Sequence, residues 1–163
     1  MEVVEGVADI DDVGAFVTAI DAIGERHGVT VQAFDAGYVV DRAHLELAVE
    51  LATRARERGE TIADDFGVEI LLYAAGRRQI NRALEMGVDE GECPVIAVIV
   101  GNGDKAAAAA ELRERLATAE LLGEYDTDRV REFFGVTDTE LAATEGTLAD
   151  AVRERVALLP VEK

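Results

Sequence analysis

The sequence predicts an α/β fold: a small central sheet covered by helices, followed by a helical C-terminal part. Three observations predict it. Short β-branched stretches alternate with stretches of helical period in the first two thirds of the 163-residue chain. The run VIAVIVG after Pro94 is apolar throughout, as a strand covered on both faces must be. Beyond Tyr125 only helical spacing remains.

Val3 to Ala8 reads as the first strand. Asp11 or Asp12 caps the helix after it, whose stripe is Val13, Phe16, Val17, Ile20 and Ile23, and Gly28 ends it. Val29, Val31 and Ala33 alternate with Thr30, Gln32 and Phe34, a second strand. Asp35 to Val40 connects it to a long helix that Asp41 caps and Gly59 closes, with Leu47, Ala48, Leu51 and Ala55 on one face. After the central strand, Asp104 caps an Ala-rich helix carrying Leu112 and Leu116. Leu121 to Tyr125 reads as a last, edge strand. Short helices follow at Asp128 to Phe134 and Asp138 to Ala143, the second with Thr137 and Glu140 at capping-box spacing. The final helix runs from Thr147 to about Leu159, with Leu148, Val152, Val156 and Leu159 as its stripe. No repeat or linker interrupts the chain, so residues 1–163 read as a single domain.

Charge sets the next constraint. The chain has 34 acidic and 16 basic residues, a formal net charge of −18, and its only lysines are Lys105 and Lys163. Such a surface repels itself at low ionic strength, and multimolar salt, with a Debye length of ~3 Å, removes that penalty. The expectation is a salt-adapted archaeal protein. The charge argues against nucleic-acid binding at ordinary salt, yet it records the salt of the cell as readily as the sign of a ligand. No apolar run reaches the ~18 residues of a membrane span, and the acidic N-terminus is no targeting signal. With one cysteine, Cys93, there is no disulfide framework, and a cytoplasmic setting is expected.

The most informative stretch is DDFGVEILLYAAGRRQINRALEMG, Asp64 to Gly87. Its first half is apolar nearly all round and belongs inside the protein. Gly76 frees the backbone to turn. A second helix is expected to open on Arg77 and Arg78, against the macrodipole, an arrangement that suits an anion held among the arginines and free N–H groups. Glu69, on the apolar helix, needs a partner. Arg77, Arg78 or a free backbone N–H would supply it, and the carboxylate then either braces the joint or makes a contact there. Arg77, Arg78, Asn81 and Arg82 form the one basic cluster with a ligand to offer. Solvated arginines paired with Glu85 or Glu69 are the competing reading.

Other candidates are weaker. GNGDK, Gly101 to Lys105, lacks the full phosphate-loop pattern and reads as a turn ending in the Asp104 cap. His44 shares a face with Leu47, Ala48 and Leu51, as a packed core histidine would, and His27 sits at a helix end. No Cys/His pair has metal spacing and no nucleophile–base pair is apparent, so no catalytic residue, metal or cofactor is assigned.

The same stretch resembles the small accessory subunit of the KEOPS complex, the PRPK-binding protein (TPRKB-like) family. The match runs through Glu69, Ile70, Leu71, Ala74, Ala75, Gly76, Gln79, Ile80, Asn81, Ala83 and Leu84. A second match lies in VREFFGVTDTELAATEGTLADAVRERVAL, with Gly146, Thr147, Leu148, Asp150 and Ala151 in register. The resemblance implies a largely antiparallel sheet. It implies a non-catalytic subunit that supports t6A modification of tRNA, binds the small kinase-like ATPase subunit and recruits tRNA by its 3′ CCA end. On that reading Arg77, Arg78, Asn81 and Arg82 meet the RNA, with Tyr73 as a stacking surface. Leu148, Val152 and Val156 bind the partner, unless that stripe closes the chain's own core. Two other readings remain: a small-ligand-binding or enzymatic domain using Glu69, Gly76 and Gln79 as a pocket, and a homodimeric structural protein.

Overall fold

The computed structural model describes residues 1–144 and 146–162. Strand β1 (Glu2–Ile10) leads to α1 (Val13–His27), β2 (Thr30–Asp35), a 3-10 turn at Ala36–Tyr38, α2 (Arg42–Glu57) and α3 (Phe66–Ala75). Next come α4 (Ile80–Ala83), a 3-10 turn at Leu84–Met86, β3 (Gly91–Val100), α5 (Lys105–Glu114) and β4 (Ala117–Thr118). The chain ends in α6 (Thr127–Phe134), α7 (Asp138–Ala143) and α8 (Leu148–Glu162). The strands form one antiparallel sheet in the order β2-β3-β1-β4. The α/β class, the antiparallel sheet and the helical C-terminal part are as expected.

The unbroken apolar run in β3 follows from its place in the sheet. Val95, Ala97 and Ile99 share one core with Ile20 and Ile23 of α1 and Ala108 and Leu112 of α5. Ile96 and Val98 lie in the other core, with Leu45 of α2, Ile70 and Leu72 of α3, and Val152 and Leu159 of α8. Each fully buried Ile, Leu or Val side chain contributes about 1.5–3 kcal/mol of transfer free energy. Alanine at Ala108 and Ala109, both fully buried, lets α5 lie close to the sheet.

Most helix starts are fixed by aspartate. The Asp12 carboxylate accepts from the Ala15 N–H at 3.0 Å, which settles the cap between the two candidates. Asp41, Asp65, Asp104 and Asp126 act alike on α2, α3, α5 and α6, and Thr137 on α7. The GNGDK turn packs on the end of α1: the Asp104 N–H donates to the His27 carbonyl at 2.9 Å, and a Cβ on Gly103 would stand 2.0 Å from that oxygen.

Three expectations need correction. Val17 is 39% exposed, because the stripe of α1 is centred between Ile20 and Ile23 and Val17 lies at its rim. The buried face of α2 is turned by a fraction of a turn, through His44, Leu45, Ala48, Ala52 and Ala55, while Leu47 and Leu51 are half-buried. No strand forms at Leu121–Tyr125; the edge strand is β4. The N–H groups of Leu121 and Leu122 donate to the Glu5 carboxylate at 2.8 and 2.7 Å, and the Asp126 N–H donates to the Gly37 carbonyl, so side chains and turns take the place of a ladder. Gly6 in β1 is required there: a Cβ would come within 2.7 Å of Leu116 Cβ and 2.8 Å of the Ala117 carbonyl.

Candidate functional site

α3 is buried almost all round, and its end sets up the basic segment. Gly76 adopts φ 61°, the left-handed conformation that glycine takes without a Cβ penalty. Its N–H donates to the Tyr73 carbonyl, and the Arg77 N–H reaches back to Leu72 at 3.0 Å, a Schellman close. The chain leaves α3 as Arg77-Arg78-Gln79 and re-enters helix only at Ile80.

That placement corrects the expected geometry of the arginines. Arg77 and Arg78 precede α4 rather than opening it, and α4 has four residues with no side-chain cap. So short a helix has little dipole to offer an anion. Arg77 is half-buried and committed: its Nη2 donates to the Phe133 carbonyl, and its guanidinium lies 5.0 Å from the Phe133 ring centroid. Arg78, Gln79, Asn81 and Arg82 are exposed. Arg82 makes no ion pair among the described residues. Gly76, Arg77, Arg78, Gln79, Arg82 and Leu159 line a depression of about 300 Å³. Ile80 and Leu84, 47% and 56% exposed, stand beside it.

Glu69 is fully buried, but away from that depression. Its carboxylate accepts from the Ile62 N–H at 2.9 Å and the Ala63 N–H at 2.7 Å. It therefore braces the loop before α3, through backbone N–H groups and not through Arg77 or Arg78. A pocket built jointly from Glu69, Gly76 and Gln79 does not form. Tyr73 is 1% exposed, inside the core of α2 and α3, and offers no stacking face to a ligand. Val152 and Val156 are fully buried and Leu148 is half-buried, so the α8 stripe closes the chain's own core. The outer face of α8 instead carries Leu158, 42% exposed, in a groove with Ala75, Gly76, Arg77, Phe134 and Arg155.

A second cluster, which sequence reasoning missed, adjoins the basic segment. Asp35, 6% exposed at the end of β2, accepts from the Gly37 N–H at 2.9 Å and from Arg129 Nη2 at 2.8 Å. The Arg129 guanidinium lies over the Tyr38 ring, 4.4 Å from its centroid. Burial works against its charge, but hydrogen bonds with Asp35 and Tyr38 and the charge of Asp35 outweigh burial and hold it protonated. The Tyr38 hydroxyl donates to Glu85 Oε2 at 3.1 Å. Tyr38, Arg82, Glu85, Arg129, Glu132 and Phe133 surround a depression of about 390 Å³. Arg82 lines both depressions and joins them. The one sequence signal was Gly37 within the connection from Asp35 to Val40; the pairing of Asp35 with Arg129 bridges 94 positions of the chain and has no local signature.

The α6–α8 corner is held by Arg155. Its guanidinium donates to Glu140 Oε1 and Oε2 at 2.6 and 2.8 Å and to the carbonyls of Phe134 and Gly135 at 2.9 and 3.0 Å. Cys93 is buried, and burial pushes its thiol pKa up, away from nucleophilic use. Among the described residues no group of three or more His, Cys, Asp and Glu side chains is placed to hold a metal ion. No described helix is long and apolar enough to cross a membrane.

The exposed features of this antiparallel α/β fold include a basic segment and the apolar side chains of Ile80, Leu84 and Leu158. The chain matches the family model of the kinase binding protein CGI-121 over residues 10–159, and it belongs to that family. A comparison with curated protein sequences finds no match.

Proposed function

We propose that this protein is a non-catalytic subunit of a KEOPS-type assembly. It binds the small kinase-like ATPase subunit and recruits tRNA by the 3′ CCA end for t6A modification. Membership of the kinase-binding family over most of the chain is the observation that carries this reading. The basic segment supports the RNA part: Arg78, Asn81 and Arg82 are exposed on one short stretch, with Arg77 anchoring it. With the α8 stripe buried, the partner docks on the outer face of α8 around Leu158. The chain acts as one domain in the cytoplasm, and its net charge of −18 fits a salt-adapted archaeal cell. In such salt phosphate attraction weakens steeply, so stacking and hydrogen bonding to a single-stranded end carry more of the affinity.

The test is reconstitution at native salt. The tagged protein co-purifies with the kinase-like subunit, shows no ATP turnover alone, and raises t6A output when added to the remaining subunits. Leu158→Asp breaks that complex without unfolding the protein. Arg78→Ala/Arg82→Ala weakens tRNA binding and keeps the partner, and removing CCA weakens the parent more than the variant. No association with the kinase-like subunit, or equal tRNA binding by parent and double variant, overturns the corresponding half of the reading.

A further inference from the structure

We propose that Asn102 is a site of spontaneous covalent modification: its side chain cyclises onto the Gly103 nitrogen, and the ring opens to aspartate and isoaspartate. The string GNGDK has no part in the function proposed above. Asparagine is among the thermolabile side chains, and the chain holds two, Asn81 and Asn102. Their surroundings differ. Asn102 and Gly103 are both exposed, in the turn between β3 and α5. Among the described residues neither the Asn102 amide nor the Gly103 N–H has a hydrogen-bond partner. The attacking nitrogen is free, and glycine puts no Cβ in the way of its approach. Asn81 is exposed too, but the nitrogen that follows it belongs to Arg82 and donates to the Gln79 carbonyl at 3.1 Å. That bond, inside α4, holds the nitrogen away from the Asn81 side chain.

The chemistry needs only water. The Gly103 nitrogen loses its proton to solvent and attacks Asn102 Cγ. A Cγ–N bond forms, the bond from Cγ to the side-chain nitrogen breaks, and that nitrogen takes a proton and leaves as ammonia. Water then opens the cyclic imide, its hydroxyl going to carbon and its proton to nitrogen. Attack at Cγ restores the main chain and leaves aspartate. Attack at the main-chain carbonyl leaves isoaspartate, whose chain runs through Cβ and Cγ and is one atom longer. Both products carry one more negative charge. The extra atom of isoaspartate meets a turn with no slack. Val100 is in register with Thr30 at the end of the β2–β3 ladder. Gly103 sits so close to the end of α1 that a Cβ there would stand 2.0 Å from the His27 carbonyl oxygen. The Asp104 N–H donates to that same oxygen at 2.9 Å, and the Asp104 carboxylate caps α5 through the Ala107 N–H at 3.0 Å. The isoaspartate form therefore loosens the seat of the turn on α1 and the cap of α5. The aspartate form, with its main chain unchanged, keeps both.

The folded parent protein is held in mildly alkaline buffer at native salt, where the Gly103 amide loses its proton faster, and its peptides are followed by mass spectrometry. The peptide with Asn102 should gain the mass of water less that of ammonia. An isoaspartate-specific carboxyl methyltransferase should label part of it. The Asn81 peptide should stay unchanged, and Asn102→Ser should abolish both signals. In the isoaspartate fraction, separated by chromatography, hydrogen exchange at the Asp104 amide should accelerate. Asn102→Asp, which has the charge without the extra atom, should keep the parent's rate. An Asn102 peptide that stays intact, or equal conversion at Asn81, overturns the site. Parent-like exchange at Asp104 in the isoaspartate fraction overturns its effect on the junction of α1 and α5.

Discussion

His44 on α2 donates from Nε2 to the carbonyl of Ala74 on α3, 2.7 Å away, while its Nδ1 accepts from the Val40 N–H at 3.3 Å. The two partners dictate the tautomer, since one ring nitrogen faces an acceptor and the other a donor. The ring is fully buried, edge-on to Phe134 at 5.8 Å. A neutral imidazole thus ties the long helix to the buried one and satisfies a carbonyl near the end of α3.

Stability should therefore fall with acid before the carboxylates titrate. Burial, against the hydrogen bond to Ala74 and the nearby Asp41 charge, holds His44 below its ordinary pKa in the folded state. The unfolded chain takes up the proton near pH ~6.5. Below that pH the unfolded state binds one proton more, so stability is complete above ~6.5 and declines as pH falls toward the folded-state value. The decline approaches about 1.4 kcal/mol per pH unit. Urea unfolding between pH 7.5 and 5 should show this slope in the parent and a flatter one in His44→Gln. Equal slopes would remove His44 as its source.

Glu69→Ala should destabilise the fold by about 3 kcal/mol, because it strips a charged acceptor from two backbone N–H groups at once. The loss has an address. Hydrogen exchange at the amides of Ile62 and Ala63 should accelerate sharply, while that of the buried strand β3 changes little. Protected amides in the variant would mean that the carboxylate is not what holds the loop.

Two substitutions on α8 separate its faces. Val152→Asp puts an unpaired carboxylate where the side chain is fully buried and should cost at least ~3 kcal/mol, enough to unfold a marginal protein. Leu158→Asp, at a 42% exposed position, should leave thermal stability within ~0.5 kcal/mol of the parent. A stable Val152→Asp variant would return the stripe to solvent and to a partner.

What could be read from the sequence was what is local. The alternation in β2, the apolar run of β3, the aspartate caps and the glycine closures at Gly28 and Gly76 act within a few residues, and the chain folds as they indicate. The burial of α3 was legible because nearly every side chain on it is apolar. Several misses, unlike those at Val17 and at the start of α4, involve distant partners. Glu5 captures the N–H groups of Leu121 and Leu122 and so cancels an edge strand. Leu45 and not Leu47 faces the core because α2 packs against both α3 and α8. Tyr73 has the composition of a stacking residue, but its helix has no outer face. The Asp35–Arg129–Tyr38 cluster joins the end of β2 to α6, and spacing along the chain carries no trace of it.

The two-residue β4 has a consequence for how these molecules meet one another. It pairs only with Gly6 and Val7, and the segment behind it is fastened to the side chain of Glu5 rather than continuing the ladder. On this side β4 itself is too short to template a strand from a second molecule. It offers a neighbouring copy almost no ladder to extend; the opposite edge of the sheet is the six-residue β2.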